Sequence, residues 1–91
     1  MTSTFYTLTL HEISLRCGVE PTFVQQLLEV GIIEAHSGDQ SQFSSEITLR
    51  VHRAVRLQRD LGVNLEGAAV ILQLLDQIEA LEHELRGRRR G

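Results

Sequence analysis

Apolar residues recur with the period of an α-helix in four stretches of the chain, and capping residues mark several of their ends. The first stretch runs from Leu10 to Cys17. Thr9 and Glu12 have the spacing of a capping box, and Gly18 suits the left-handed residue that ends many helices. The preceding residues, 4–9, are rich in β-formers, so we expect a short strand or an extended lead-in there.

A second helix is predicted to begin at Pro21, because proline is favoured at the first helical position. Glu20 precedes it as the N-cap, and Gly31 ends it. The link from Gly18 to Glu20 is short, so the two helices should form a helix-turn-helix. The apolar stripe of the second helix is Phe23, Val24, Leu27, Leu28 and Val30.

A small hairpin and a third helix are expected next. Residues 32–35 and 40–43 are predicted to pair as strands around the turn-forming cluster 36–39, as a wing. Ser44 is expected to cap a helix that ends at Leu61, before Gly62. Its inward positions are predicted to be Ile47, Val51, Ala54, Val55 and Leu61.

The fourth helix carries two apolar stripes. Asn64 can cap it, and it should run from Leu65 to about Arg86. Leu72 and Leu75 form one stripe. The other repeats at intervals of three and four over two heptads, which is the pattern of a coiled-coil seam: Ile71, Leu74, Ile78, Leu81 and Leu85. This seam predicts a homodimer, with both stripes covering one intrachain core as the alternative.

The chain is therefore divided into a winged helix-turn-helix part, residues 1–64, and a dimerisation helix with an arginine-rich tail, residues 65–91. With 91 residues, 42% of them hydrophobic, it can bury only a modest core. The single cysteine, Cys17, excludes an intrachain disulfide. No stretch has the ~20 apolar residues of a membrane span, and the N-terminus lacks a basic leader, so we expect a cytoplasmic protein without a membrane.

Charge is distributed unevenly along the chain. Residues 1–46 contain one arginine, Arg16, and no lysine, against six acidic residues. Because nucleic-acid affinity comes mostly from cationic groups, this half should avoid DNA and attract a basic protein surface. The third helix carries four arginines: Arg50, Arg53, Arg56 and Arg59. They are expected to be solvated or paired within the chain, with Glu46–Arg50 and Arg56–Asp60 at the i,i+4 spacing of helix pairs. The alternative is pairing with acids of a second chain's fourth helix. Four more arginines follow residue 85 and suit the negative end of a helix, with nucleic-acid contact as the alternative.

Catalytic and metal chemistry are not indicated. No two of the four histidines have metal-ligand spacing, Cys17 has no zinc-type partner, and there is no glycine-rich phosphate loop. We therefore expect a non-enzymatic protein without a cofactor or a metal.

The segment from Gly18 to Ile33 resembles the second-helix region of the MerR-like winged helix-turn-helix family, and residues 61–66 resemble its junction before the fourth helix. This resemblance implies an all-α fold with at most a minor β-hairpin. The family's DNA-contacting positions fall on Thr22, Gln25 and Gln26, none of which is basic. The resemblance thus implies the fold without its phosphate-binding chemistry.

Residues 53–61 and 67–78 resemble the CbpM family of chaperone modulators. That resemblance implies binding to the J domain of a DnaJ-like co-chaperone of the CbpA type, with inhibition of its co-chaperone and DNA-binding activities. The partner-binding residues nominated by charge and position are Glu12, Glu20, Gln25, Gln26, Glu29, Glu34 and Asp39. The alternatives are that these acids only solvate the surface, that the protein is a MerR-type DNA-binding regulator, or that it is another adaptor, such as a toxin–antitoxin module.

Overall fold

The structure, a computed structural model, describes residues 6–36 and 41–90, with side chains to residue 88. Most of this part of the chain is helical, as predicted. The elements in chain order are β1 (Thr7–Leu8), α1 (Leu10–Cys17), α2 (Pro21–Glu29), β2 (Phe43–Ser44), α3 (Ile47–Leu61) and α4 (Leu65–Arg90).

Helix α1 has the predicted bounds because its caps are local. The Thr9 hydroxyl accepts a hydrogen bond from the Glu12 backbone N–H (3.1 Å), and the Glu12 carboxylate accepts one from the Thr9 N–H (2.9 Å). Gly18 ends the helix with φ at 67°, in the left-handed region that favours glycine. Leu8 and Ile13 flank the cap and are both buried in the core.

Helix α2 also matches its prediction and completes the helix-turn-helix. Pro21 occupies its first turn after Glu20, whose backbone is extended and whose side chain makes no capping hydrogen bond. The helix ends at Glu29, and Gly31 follows with φ at 82°. Val24 and Leu27 lie on the inner face of α2 and are buried in the core.

The predicted pairing of the wing strands is wrong. Strand β2 pairs antiparallel with β1, so that Leu8 lies opposite Phe43. Residues 32–35 form no strand. The backbone N–H groups of Ile32 and Ile33 both donate to the Leu27 carbonyl (2.9 and 3.4 Å), so the start of this segment belongs to the turn that ends α2. Among the described residues of the two arms, the His36 N–H donates a hydrogen bond to the Gln42 carbonyl (2.6 Å). Residues 37–39 of the predicted turn and residue 40 of the second predicted strand lie outside the described residues.

The N-cap of helix α3 lies two residues later than predicted. Ser44 belongs to β2, and Glu46 is the N-cap. Val51 and Ala54 face the core as expected. The prediction that Leu61 points inward is wrong, since 63% of this residue is exposed.

Helix α4 begins at the predicted cap, where the Asn64 Oδ1 accepts a hydrogen bond from the Gly67 N–H (2.8 Å). It ends at Arg90, beyond the predicted Arg86. Its contacts with the domain lie in the part up to Glu79: Ala68 and Leu72 are buried in the core, and Asp76 and Glu79 form ion pairs with α3. The radius of gyration is consequently 14.9 Å, against about 12 Å for a compact chain of this length. The rest of α4 projects from the domain.

Candidate protein-interaction surface

The outer face of α2 is the surface that a helix-turn-helix protein presents to its ligand. Thr22, Gln25, Gln26 and Glu29 are exposed there, opposite the buried Val24 and Leu27. None of the four carries a positive charge. This face therefore offers amide groups and a carboxylate where a DNA-binding protein needs cations.

Three of the acidic residues predicted to bind the partner are exposed to solvent: Glu20, Glu29 and Glu34. None of them forms an ion pair with any other residue that the structure describes. The one arginine of this half, Arg16, lies over the ring of Tyr6, 5.3 Å from its centroid, and donates to the Tyr6 hydroxyl (2.8 Å). The negative charge is thus not neutralised locally.

Glu12 differs from the other acids because it caps its own helix. The hydrogen bond from the Thr9 backbone, then that from the Thr9 side chain and the charge of Arg16, lower the pKa of Glu12. A ligand that binds the Glu12 carboxylate would therefore compete with the capping hydrogen bond from the Thr9 N–H. Asp39 lies outside the described residues.

A shallow groove lies beside Glu20, at the turn between α1 and α2. Its apolar lining comes from Leu15, Val19, Phe23 and Val55, and Glu20 stands on its edge. Leu15 is an apolar residue on the outer face of α1, where 69% of it is exposed. This groove lies outside the set of residues predicted from the sequence to bind the partner, apart from Glu20. Its signal was the position of Leu15, two residues after Ile13 and off the buried stripe.

The arginines of α3 divide into paired and unpaired members. Arg50 forms an ion pair with Asp76 of α4, and Arg53 lies 3.5 Å from Glu79 of the same helix. Arg59 contacts its neighbour Asp60 at 3.3 Å. Three of the four arginines are thus paired within the chain, but the i,i+4 pairs expected from the sequence, Glu46–Arg50 and Arg56–Asp60, are not among the ion pairs of the described residues. Arg56 is exposed and has no ion-pair partner in the described part of the chain.

The two apolar stripes of α4 differ in their exposure to solvent. Leu72 is buried against the domain, at 1% exposure. The predicted seam is open to solvent: Ile71 is half-buried, and more than half of each remaining member is exposed, namely Leu74, Ile78, Leu81 and Leu85. The alternative that both stripes cover one intrachain core is thus wrong. Four large apolar side chains along one helix face form a patch of the kind that marks an interaction site.

Other chemistry is sparse in the described residues. Burial raises the pKa of the half-buried Cys17 thiol, which disfavours the reactive thiolate. No group of three potential metal ligands occurs in residues 6–36 and 41–90. None of the described helices alone has the length and hydropathy to cross a membrane; α3 and α4 meet that criterion only as a pair bent by 118°.

The short helical pair, its two-stranded sheet and the long last helix define a MerR-like helix-turn-helix protein. The family model for MerR HTH family regulatory proteins matches residues 8–90. The chain is also 33% identical over 82 residues to the chaperone modulatory protein CbpM of Salmonella arizonae, covering 88% of this chain and 81% of that protein. The CbpM proteins of Salmonella newport and Salmonella agona match equally well. The chain belongs to the CbpM family of chaperone modulatory proteins.

Proposed function

We propose that this protein is a non-catalytic cytoplasmic modulator that binds the J domain of a DnaJ-like co-chaperone of the CbpA type. Binding would suppress both the co-chaperone activity and the DNA binding of that partner. The observation that carries the proposal is the outer face of α2, where uncharged and acidic side chains stand in place of the cations of a DNA-binding relative. Membership of the CbpM family supports the chaperone-modulator role.

The mechanism is competition for a basic helix. A J domain stimulates its Hsp70 partner through such a helix, and an acidic module that covers it blocks the encounter. Exposed carboxylates without local partners, such as those of Glu20 and Glu29, steer and select a cationic ligand. They contribute less to residence time, because exposed charges remain solvated.

Apolar anchors supply the residence time in this mechanism. The groove between α1 and α2 offers Leu15 and Phe23 to an apolar side chain of the ligand, and Glu20 is placed to meet a flanking cation. An apolar centre with a charged rim is the usual anatomy of a specific protein interface.

The protein is proposed to act as a homodimer through the seam of α4. The exposed leucines and isoleucine of this helix face lose their contact with water when a second copy packs against them. Ile78 lies in the middle of the seam, so Ile78→Asp should give monomers or unfolded chains. An unchanged sedimentation coefficient in a folded Ile78→Asp variant would show that the seam is placed wrongly.

The test of J-domain binding is a paired charge reversal, Glu20→Arg with Glu29→Arg. Affinity for a purified J domain is measured by titration calorimetry at several salt concentrations. We expect weaker binding and a smaller salt dependence. The control, Glu66→Arg with Glu84→Arg, changes net charge equally on α4 and should leave the affinity near that of the parent protein.

Duplex DNA at low salt is the second ligand in this experiment. An unchanged J-domain affinity and salt dependence in the Glu20 and Glu29 variant would contradict the acidic-face mechanism. Tight binding of DNA without binding of the J domain would instead support the MerR-type regulator.

A further inference from the structure

The outer face of α3 combines positive charge with an exposed leucine. Helical spacing places four exposed residues on this face, over about 15 Å of the helix: Leu49, Arg53, Arg56 and Arg59. Val51 and Ala54, on the opposite face of the same helix, are buried in the core. We call the exposed surface the α3 ridge.

The hydrophobic core separates the α3 ridge from the outer face of α2. Val24 and Leu27 of α2 belong to the same core cluster as Val51 of α3, so each helix turns its inner face towards the other elements. The two outer faces therefore lie on different sides of the domain. Glu20 and Glu29 make the α2 side acidic, whereas the arginines make the α3 side basic. The two surfaces can hold ligands of opposite charge.

The arginines of the α3 ridge are only weakly neutralised within the chain. Arg53 approaches Glu79 at 3.5 Å, and Arg59 approaches Asp60 at 3.3 Å. More than half of each of these four side chains is exposed, and exposed pairs contribute little free energy. Arg56 has no ion-pair partner in the part of the chain that the structure describes. Carboxylates of a ligand can therefore reach all three guanidinium groups.

Leu49 supplies an apolar contact at the N-terminal end of the α3 ridge. It is 69% exposed. Beside it, towards the middle of α4, lies a shallow groove whose lining includes Ile47 and Leu49 together with Arg53 and Glu79. An apolar side chain placed in this groove removes part of Leu49 from water. An apolar anchor next to cations suits a ligand that is both acidic and amphipathic.

The α3 ridge fits an acidic polypeptide better than a nucleic acid. Asp60 and Glu79 stand among the arginines, and carboxylates at these positions repel a continuous phosphate backbone. A polypeptide can place its own carboxylates beside the arginines and uncharged side chains beside the two acids. Leu49 contributes nothing to a phosphate contact, whereas it can pack against an apolar side chain.

We propose that the α3 ridge binds an acidic, amphipathic segment of another protein. Carboxylates of that segment pair with Arg56 and Arg59, and one of its apolar side chains packs against Leu49. This ligand differs from the basic helix proposed for the α2 face, because the required charge is opposite. The inference goes beyond the proposed function and stands independently of it.

The experiment is a titration of the full chain with a synthetic peptide, read by fluorescence anisotropy. The probe is a fluorescein-labelled peptide in which glutamate and leucine recur with helical spacing. We expect saturable binding that weakens as salt increases. Arg56→Gln with Arg59→Gln should lower the affinity on the order of fivefold or more and reduce its salt dependence, because two charge contacts are lost. Leu49→Gln should also lower the affinity but leave the salt dependence unchanged, because it removes an apolar contact and no charge.

The matched control is Arg86→Gln with Arg88→Gln, which removes the same charge from the end of α4 and should leave the affinity near the parent value. Duplex DNA is the second probe. Three results would overturn the inference: no binding of the acidic peptide, equal losses in the ridge and control variants, or binding of DNA in place of the peptide that depends on the ridge. J-domain affinity measured on the same variants tests the proposed function separately.

Discussion

Arg50 and Asp76 join α3 to α4 through a two-point ion pair, with nitrogen–oxygen distances of 3.0 and 2.9 Å. The Nε of the same arginine donates a hydrogen bond to the Ile32 carbonyl, at 2.5 Å. One side chain therefore ties the long helix to the segment that follows α2. This contact helps to set the direction in which α4 leaves the domain.

Replacing Arg50 with lysine should reduce stability even though the charge is kept. Lysine cannot form the planar two-point contact with Asp76 and reach Ile32 at the same time. We expect the free energy of unfolding in urea to fall by about 1–2 kcal/mol, an estimate reduced for partial exposure of the pair. Arg59→Lys is the matched control and should have little effect. Equal stability of the two variants would show that the Arg50 contacts contribute nothing.

The capping box of α1 should make stability depend on pH in the acidic range. The pKa of Glu12 is lowered in the folded state by its hydrogen bonds with Thr9. Its contribution is therefore present above the pKa of the unfolded chain and is lost as the pH falls through the lowered folded value. Urea denaturation of the parent and of Glu12→Gln should differ most near neutral pH and converge in acid. A constant difference across this range would contradict the assignment.

Leucines on the two stripes of α4 should respond differently to truncation. Leu72→Ala removes a buried side chain and should cost about 2–4 kcal/mol of unfolding free energy. Leu81 is 59% exposed, so Leu81→Ala should change the stability of the monomer by less than about 0.5 kcal/mol. It should nevertheless weaken dimerisation. Denaturation at concentrations below the dimer dissociation constant, together with sedimentation, separates the two effects. A large loss of monomer stability in Leu81→Ala would contradict the assignment of its stripe to an interface.

The apolar groove beside Glu20 can be tested with two leucines of equal exposure. Leu15 and Leu49 are each 69% exposed, but only Leu15 lines the groove between α1 and α2. Leu15→Gln should accelerate dissociation from a J domain in surface plasmon resonance, because an anchor is lost. Leu49→Gln should leave the dissociation rate unchanged. Equal effects of both substitutions would remove the groove from the binding site.

Local features of the fold were predictable, and long-range ones were not. The bounds of α1 follow from Thr9, Glu12 and Gly18, which act within a few residues of one another. The pairing of β2 with β1 depends on contacts between distant segments, which no local pattern reports. For the same reason the pairing of Arg50 with Asp76, 26 residues apart, was not foreseen.

The candidate site was likewise predictable from the sequence only where local features define it. Composition and resemblance indicated a face on α2 without cations, and the structure exposes its four side chains. Helical periodicity placed Leu61 with the core residues, because a period shows which residues share a helix face and not how far along the helix the core extends. The groove around Leu15 depends on the approach of Val55 from α3, a contact that only the folded chain shows.

The central claim is that this helix-turn-helix binds a protein and not DNA. The most direct measurement is titration of the intact protein with a purified J domain of a CbpA-type co-chaperone, and in parallel with duplex DNA at low salt. The account predicts saturable binding of the J domain that weakens as salt increases, and no binding of DNA. Sequence-selective binding of the duplex, together with no heat of binding or complex formation with the J domain, would contradict it.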